Sequence, residues 1–133
     1  LFPSGRRPLM TTPATSAAVR DAAHALLAAD GTPVSVIKDS AGFIAQRVVA
    51  TIVNIASDIA QQGIARPQDI DTAVKLGLGY PSGPLAMGDN LGAGRVLAIL
   101  DGLFEIYRDP RYRPSPWLRR RAQLGLSLLK TEI

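Results

Sequence analysis

The sequence contains no cysteine and a single histidine, His24, among 133 residues. The absence of thiols excludes disulfides and thiolate metal sites. One imidazole cannot build a histidine-rich metal centre, and it argues against a catalytic triad that depends on histidine. We therefore predict no metal site. A chain without cysteine is compatible with a reducing compartment, and we expect a cytoplasmic protein.

Long apolar runs are also missing. The most apolar window covers residues 48–57, about half of what spans a bilayer, and Arg47 and Asp58 close it. No signal peptide is visible, and Leu1 in place of a start methionine suggests a fragment or a processed chain. With 47% apolar and 20% charged residues, the chain has enough material for one compact core. We expect a soluble domain without a membrane partner.

The positive charge is concentrated near the end of the chain. The net charge is +4. Six arginines fall within fourteen positions: Arg108, Arg111, Arg113, Arg119, Arg120 and Arg121. Such a cluster can meet phosphates, can form a solvated basic face, or can tie a terminal helix to acidic neighbours. Asp101, Glu105 and Asp109 are close in sequence, and aromatic residues make up only 5%. Without an aromatic stacking platform we predict no nucleic-acid partner.

The first part of the chain predicts an arm, a helix and one strand. Residues 1–12, with their prolines, indicate an extended arm or a linker. A helix is predicted from Thr12 or Ser16 to Asp30, and His24 falls outside its apolar stripe, which indicates a surface position. That stripe consists of Val19, Ala22, Ala23, Leu26 and Leu27. Residues 33–37 predict a strand, whose partner must lie elsewhere in this chain or outside it.

The rest of the chain predicts packed helices. They begin at Gly42, Pro67, Pro84, Leu91 and Pro116, which gives five or six helices in all. Three apolar faces are predicted: Phe43, Ile44, Val48, Ile52, Ile55, Ala56 and Ile59; Ile70, Ala73, Val74 and Leu76; and Val96, Leu97, Leu100, Leu103, Phe104 and Tyr107. The predicted fold class is mainly α, with a helix-on-helix core that subunits could share.

The connection at residues 79–84 reads Gly-Tyr-Pro-Ser-Gly-Pro. Tyr80 and Gly83 each precede a proline, which keeps both out of the helical region and stiffens the loop. The glycines allow backbone angles that other residues avoid. No Lys-Ser/Thr follows and no strand precedes, so this is not a phosphate-binding nucleotide loop. From the residues alone, a stiff corner between two helices is favoured over a binding loop.

Two stretches, taken in order, carry a family resemblance. Residues 38–47 read Lys-Asp-Ser-Ala-Gly-Phe-Ile-Ala-Gln-Arg. After Asp-Ile-Asp at 69–71, residues 78–92 read Leu-Gly-Tyr-Pro-Ser-Gly-Pro-Leu-Ala-Met-Gly-Asp-Asn-Leu-Gly. This order and spacing resemble the C-terminal helical domain of the NAD-dependent 3-hydroxyacyl-CoA dehydrogenases. The likeness runs from about residue 12 to residue 108.

The resemblance implies a fold and a set of partners. The fold is a helical bundle like the C-terminal domain of 6-phosphogluconate dehydrogenase, with a short N-terminal strand. Residues 1–38 would supply an arm, a helix and a strand of the nucleotide domain's sheet, and residues 39–133 the helical domain. NAD would be bound by a Rossmann domain absent from this chain. The helical part would form a homodimer and close one side of an acyl-CoA cleft. The implied substrate-binding residues are Ser40, Phe43, Gln46, Tyr80, Pro81, Gly83 and Pro84.

The sequence also departs from the family's pattern. Gln46 stands where the family has an asparagine that holds the substrate carbonyl, so the amide is extended by one methylene. Ala41 stands where proline is usual. The Gly-x-Gly-x-x-Gly fingerprint is absent, and nothing corresponds to the family's catalytic histidine and glutamate. No residue here is therefore assigned as catalytic, and the isolated chain is expected to be inactive.

Long members of the family carry two copies of the helical domain, and Gln46 together with the arginine-rich end resembles their second copy. That resemblance implies the oxidation of a medium-chain or dicarboxylic 3-hydroxyacyl-CoA to the 3-oxoacyl-CoA, as in fatty-acid β-oxidation or aromatic-acid catabolism. The alternative is a non-catalytic module for dimerisation, one that keeps the fold and not the active site.

Overall fold

The computed structural model describes residues 5–131, which form two compact units that divide after Phe43. The first unit contains β1 (Arg7–Thr11), α1 (Ala17–Leu27) and β2 (Val34–Lys38). The second contains α2 (Ala45–Gln61), α3 (Pro67–Leu78), α4 (Pro84–Leu91), α5 (Ala93–Tyr107), a 3-10 turn (Pro110–Tyr112) and α6 (Pro116–Leu124). Six helices within the described range confirm the predicted mainly α class. The domain boundary expected after residue 38 stays a prediction.

The first unit is a β-α-β arrangement. β1 and β2 pair in parallel, with Arg7 opposite Val34 and Thr11 opposite Lys38. The predicted strand therefore has a partner within the chain, and the interpretation of residues 7–11 as an extended arm is wrong. Pro8 concealed this strand in the sequence, because proline is depleted in strands and is tolerated only at an edge.

Helix α1 has no buried residue in the described chain. Ser16 caps its N-terminus, and its Oγ accepts from the Val19 N–H at 3.3 Å. The apolar stripe that identified the helix is largely open to solvent, since Val19 and Leu26 are 62% and 77% exposed. Parallel strands are normally covered on both faces. This unit by itself has strands and a helix but no hydrophobic core.

The core of the second unit is built around α2. Its buried side chains are Val49, Ala50, Val53, Ala56, Ala60, Ile70, Leu85, Val96, Leu100, Trp117, Leu118 and Leu128. The predicted apolar band of α2 is buried only in part, because Ala56 is buried and Ile59 packs against the core, whereas Val48 and Ile55 are 50% and 57% exposed. The larger β-branched residues dominate the periodicity, whereas small residues such as Ala56 let neighbouring helices approach closely.

Two helices begin later than predicted because of left-handed backbone. Gly42 and Phe43 have φ of 75° and 48°, so α2 begins at Ala45 rather than at Gly42. Gly92, with φ of 91°, likewise separates α4 from α5. A left-handed residue cannot continue a right-handed helix.

The remaining predicted faces are confirmed in part. Val96, Leu100 and Leu103 are buried as expected, whereas Leu76 is 83% exposed and its predicted inward position is wrong. The predicted start of α6 at Pro116 is confirmed. None of the helices in the described range has the length and apolarity needed to cross a bilayer.

Candidate functional site

The loop between α3 and α4 is a short connection with both ends fixed. Gly79 ends α3 in the left-handed region, at φ 67°, and Pro84 occupies the first position of α4. Tyr80 is half-buried and Pro81 is exposed, while Gly83 is buried. The loop therefore carries an aromatic ring and a proline between two fixed ends. This agrees with the stiff corner between two helices that the sequence predicts.

Every backbone donor in the first turn of α4 can be accounted for. Pro84 has no N–H, and the Met87 N–H bonds to the Gly83 carbonyl at 2.9 Å. The N–H groups of Leu85 and Ala86 donate to the two carboxylate oxygens of Asp71, at 2.8 and 2.9 Å. Helix starts leave such donors without intrahelical partners. Asp71 of α3 therefore caps α4 from outside that helix.

Gly83 is required for this cap. A Cβ at position 83 would lie 2.1 Å from Asp71 Cγ, far inside van der Waals contact. Gly83 has φ −68° and ψ 152°, which any residue can adopt. Glycine is needed here for space rather than for its backbone freedom, because the loop backbone packs directly on the Asp71 side chain.

The sequence alone indicates a lesser role for Asp71. Like Asp69 it lies near the start of its own helix, where the helix dipole favours an acidic residue by about 0.3–1 kcal/mol. Asp71 is buried and accepts two charge-assisted hydrogen bonds, each contributing about 1.5–3 kcal/mol. One signal could have identified it, since α4 starts with Gly-Pro and no Ser, Thr, Asp or Asn cap, and so needs an acceptor from elsewhere.

The other predicted site residues are divided between the two units. Ser40 and Phe43 belong to the first unit, where the Phe43 N–H donates to the Ser40 carbonyl at 3.3 Å. Gln46 is exposed in the first turn of α2, and no hydrogen bond joins its side chain to another residue of the described chain. Four of the seven residues thus share the α3–α4 loop and the start of α4, Gln46 lies in the same unit, and two lie in the other.

Arg47 anchors the turn that carries Gln46. Its guanidinium carbon lies 4.7 Å from the centre of the Tyr107 ring and 5.7 Å from that of Tyr112. The two rings are 5.8 Å apart. This cation–π contact joins the start of α2 to the end of α5. No sequence pattern indicated this contact, because its partners lie about sixty positions further along the chain.

A buried polar residue of α2 holds the start of α6. Asn54 donates to the Arg113 carbonyl at 2.9 Å and accepts from the Ser115 N–H at 2.8 Å. At the end of α4, Asp89 accepts from Ser127 Oγ at 2.5 Å and from the Leu128 N–H at 2.8 Å. These contacts organise the bundle around α2 and α4.

The residues of the first unit do not fit a dinucleotide. In the Rossmann arrangement a glycine-rich turn between strand and helix brings the pyrophosphate to an open helix N-terminus. Here residues 12–16 join β1 to α1 without a glycine. Ser16 already caps α1 through the Val19 N–H. No step that uses NAD can be assigned to this chain's own residues.

The arginine-rich end is tied to its acidic neighbours. Arg111 pairs with Asp109 at 2.8 Å and Arg119 with Asp101 at 2.7 Å. The backbone N–H of Arg111, together with its guanidinium, holds the pKa of Asp109 below its usual range. Arg121 is buried over the Trp117 ring. These contacts match the alternative in which arginines tie a terminal helix to acidic residues, and the absence of a nucleic-acid partner stays a prediction.

Known proteins match both the sequence and the fold. The family model of the 3-hydroxyacyl-CoA dehydrogenase C-terminal domain matches residues 42–132. The 3-hydroxyadipyl-CoA dehydrogenase of Escherichia coli is 49% identical over 94 residues, which are 71% of this chain and 20% of that protein. A probable 3-hydroxybutyryl-CoA dehydrogenase of Deinococcus radiodurans is 40% identical over 95 residues, which are 71% of this chain and 34% of that protein.

Solved structures give the same result. The (S)-3-hydroxybutyryl-CoA dehydrogenase of Ralstonia eutropha matches with a TM-score of 0.82 at 33% identity, over 89% of this chain and 42% of that one. FadB2 of Mycobacterium tuberculosis matches with a TM-score of 0.83 at 29% identity, over 91% of this chain and 43% of that one. The chain spans less than half the length of each of these relatives. It belongs to the 3-hydroxyacyl-CoA dehydrogenase family, of which it contains the C-terminal domain.

Proposed function

We propose that this chain is the C-terminal part of an NAD-dependent 3-hydroxyacyl-CoA dehydrogenase that acts in the cytoplasm. The complete enzyme would oxidise a 3-hydroxyacyl-CoA to the 3-oxoacyl-CoA, with NAD bound by a preceding domain. This chain would supply one wall of the acyl-CoA cleft and the surface through which two subunits associate. It would bind and orient substrate, and the proton and hydride transfers would depend on residues outside it.

The observation that carries this proposal is the uncovered β-α-β unit. β1 and β2 are parallel, and α1 crosses between them without burying a side chain. A two-stranded parallel sheet with an open helix lacks the apolar burial needed for stability. The simplest completion is a larger sheet that continues beyond these strands in the same polypeptide. The family membership supports a nucleotide-binding domain as that sheet.

The wall of the cleft would be the loop that carries Tyr80 and Pro81. Its two ends are fixed by Gly79 and by the Asp71 cap on α4. Gln46 projects from the start of α2 with no partner for its amide in the described chain. A group that is exposed, polar and held on a rigid helix can contact a substrate carbonyl.

The substrate we favour is a dicarboxylic 3-hydroxyacyl-CoA. Of the relatives compared, the E. coli protein with 49% identity is named for 3-hydroxyadipyl-CoA. Its matched 94 residues are a fifth of its length, whereas 95 residues are a third of the Deinococcus relative, so it is much the longer protein. This supports a place for our chain in a long family member, as its second helical copy. Medium-chain 3-hydroxyacyl-CoA is the competing substrate class.

We further propose a homodimer through the outer face of α2. Ile44, Val48 and Ile55 are each at least half exposed, and they recur at positions that share one side of the helix. The opposite side of α2 is already buried in the core. A long helix that is apolar on two sides needs a second partner, and a copy of the same domain offers an identical surface.

The alternative is a structural module that retains the fold without contributing to a working cleft. Gln46 in place of the family's asparagine, with its amide extended by one methylene, favours this alternative. The two proposals share the homodimer and the upstream domain, and they differ in whether substrate touches Gln46.

The proposed activity is tested by assaying the natural polypeptide that contains this chain for NADH formation. We expect oxidation of 3-hydroxyadipyl-CoA, with a kcat/KM at least about tenfold above that for 3-hydroxybutyryl-CoA, a ratio that corresponds to about 1.4 kcal/mol. A reversed preference would overturn the substrate class. Failure with every 3-hydroxyacyl-CoA would overturn the enzymatic function.

A further inference from the structure

We propose that Asp71 is a positioning residue for the acyl-CoA cleft, acting through the loop at residues 79–83. This inference rests on the proposed function, because it assumes that Tyr80 and Pro81 border bound substrate. Asp71 itself is buried. It is 8% exposed, and each carboxylate oxygen is engaged with one backbone N–H of α4.

The carboxylate sets the position of the loop by joining the helices on either side of it. Asp71 lies in α3, and its two acceptor bonds go to the first turn of α4, which begins directly after the loop. The loop has five residues between these helices. Because its end at Pro84 is tied to α3, a shift of α4 relative to Asp71 moves Tyr80 and Pro81 with it.

The contact with Gly83 makes this coupling close. The backbone of Gly83 packs on the Asp71 side chain so closely that a Cβ there would lie 2.3 Å from Asp71 Cβ. A side chain at residue 83 would displace Asp71 or the loop. The same loop position can therefore be disturbed from two sides, by removing an acceptor at residue 71 or by adding a methyl group at residue 83.

The expected kinetic effect follows from the kind of contact that the loop makes. A wall that holds the acyl group touches substrate and transition state alike, so its displacement raises KM and leaves kcat nearly unchanged. A residue that only stabilises the fold lowers the amount of active enzyme and leaves KM where it was. The ratio of the two parameters separates positioning from stability.

The experiment uses the natural polypeptide that contains this chain. Asp71→Asn keeps the shape and one acceptor oxygen, but it places an amide N–H₂ against a backbone donor. Gly83→Ala disturbs the same contact from the other side. The matched controls are Asp69→Asn, whose carboxylate is exposed and pairs with Arg66, and Gly102→Ala, whose surroundings are open.

We expect both test variants to raise KM for the acyl-CoA by about tenfold or more, with kcat within about threefold of the wild type. Both controls should leave KM unchanged. Amide hydrogen exchange at residues 79–86 should be faster in Asp71→Asn than in Asp69→Asn, which reports on the loop independently of turnover.

Two results would overturn the inference and leave the proposed function intact. One is a lowered melting temperature with an unchanged KM in both test variants, and the other is unchanged hydrogen exchange at the loop in Asp71→Asn. A wild-type polypeptide that turns over no 3-hydroxyacyl-CoA would instead overturn the proposed function, and this inference with it. The unmodified enzyme therefore distinguishes the two failures.

Discussion

The carboxylate of Asp71 lies 2.8 Å from the backbone nitrogen of Leu85, across fourteen positions of sequence. An acidic residue of one helix thus serves as the N-terminal cap of the next. The intervening loop carries Pro81, and Gly83 packs directly on the capping side chain. The two helices and the loop between them are therefore coupled, and a change in the cap changes the geometry of the loop.

The first prediction concerns the stability that this cap contributes. Asp71→Ala removes two charge-assisted hydrogen bonds and leaves two buried or half-buried donors unsatisfied. We expect the free energy of unfolding to fall by about 3–6 kcal/mol. Asp69→Ala, on the exposed side of the same turn, should cost under about 1 kcal/mol. Urea unfolding of the two variants side by side measures the difference, and equal losses would contradict the cap.

Close packing of α4 on α2 makes a second prediction. A Cβ at Gly88 would lie 2.5 Å from Leu128 Cδ1 and 2.7 Å from Val53 Cγ1. Overpacking of this kind costs about 1–3 kcal/mol, against a gain in helix propensity of about 1 kcal/mol. Gly88→Ala should therefore destabilise the fold, whereas Gly102→Ala should stabilise it by about 0.5–1 kcal/mol because its surroundings are open. Thermal unfolding shows whether each variant is more or less stable than the wild type. A stabilised Gly88→Ala variant would show that the helices are not in close contact.

The outer face of α2 predicts the oligomeric state. If it forms the dimer contact, Val48→Glu and Ile55→Glu place charges in an apolar interface and should raise the dimer dissociation constant by about a hundredfold or more. Leu124→Glu replaces an equally exposed apolar residue on α6, and we expect it to leave association unchanged. Sedimentation equilibrium of the natural polypeptide measures this. Unaltered dimers in both α2 variants would place the interface elsewhere.

The first unit should become less stable at acidic pH. The Arg7 guanidinium, helped by the Thr32 N–H, holds the pKa of Asp30 well below its usual range. A depressed carboxyl pKa stabilises the fold above the unfolded-state pKa of about 4, and this stabilisation is lost as the pH falls towards the folded-state value. A carboxyl-carbon NMR titration should show Asp30 still ionised at pH 4. Asp30→Asn should remove the accompanying acid-induced change at β1, and a normal Asp30 titration would show that the Arg7 pair is not maintained in solution.

Substitution of Gln46 distinguishes a domain that borders an active cleft from one that is purely structural. Because the amide is extended by one methylene and is less well placed on a substrate carbonyl, we expect Gln46→Ala to leave kcat/KM of the natural polypeptide within about threefold of the wild type, as for a group that contributes little in the transition state. Gln46→Asn, which restores the family's residue, is the matched comparison. A loss of about a hundredfold or more in the alanine variant would place Gln46 in an active cleft.

Much of this organisation could be predicted from the sequence. Proline residues identified the starts of α3, α4 and α6, because proline restricts its own backbone. The buried face of α2 could not be predicted in this way, since both faces are apolar and only the small residues show which one neighbouring helices approach. β1 was missed because Pro8 contradicts the local strand pattern, and pairing with β2 overrides it.

The candidate site could likewise be predicted only in part. The stiff loop at residues 79–84 follows from local conformational rules and was predicted. The roles of Asp71 and Arg47 depend on partners distant in sequence, at Leu85 and at Tyr107. Periodicity and propensity carry no information about such contacts, although the missing cap of α4 indicated that some acceptor was required.

The most direct test of this account compares the natural polypeptide with the isolated 133-residue chain in one assay of NADH formation from a 3-hydroxyacyl-CoA. We predict turnover by the natural polypeptide and none by the isolated chain, because the chain has no dinucleotide-binding turn. Two results would contradict the assignment of this chain as the helical part of a larger dehydrogenase. One is turnover by the isolated chain, and the other is an inactive natural polypeptide whose N-terminus lies near Leu1.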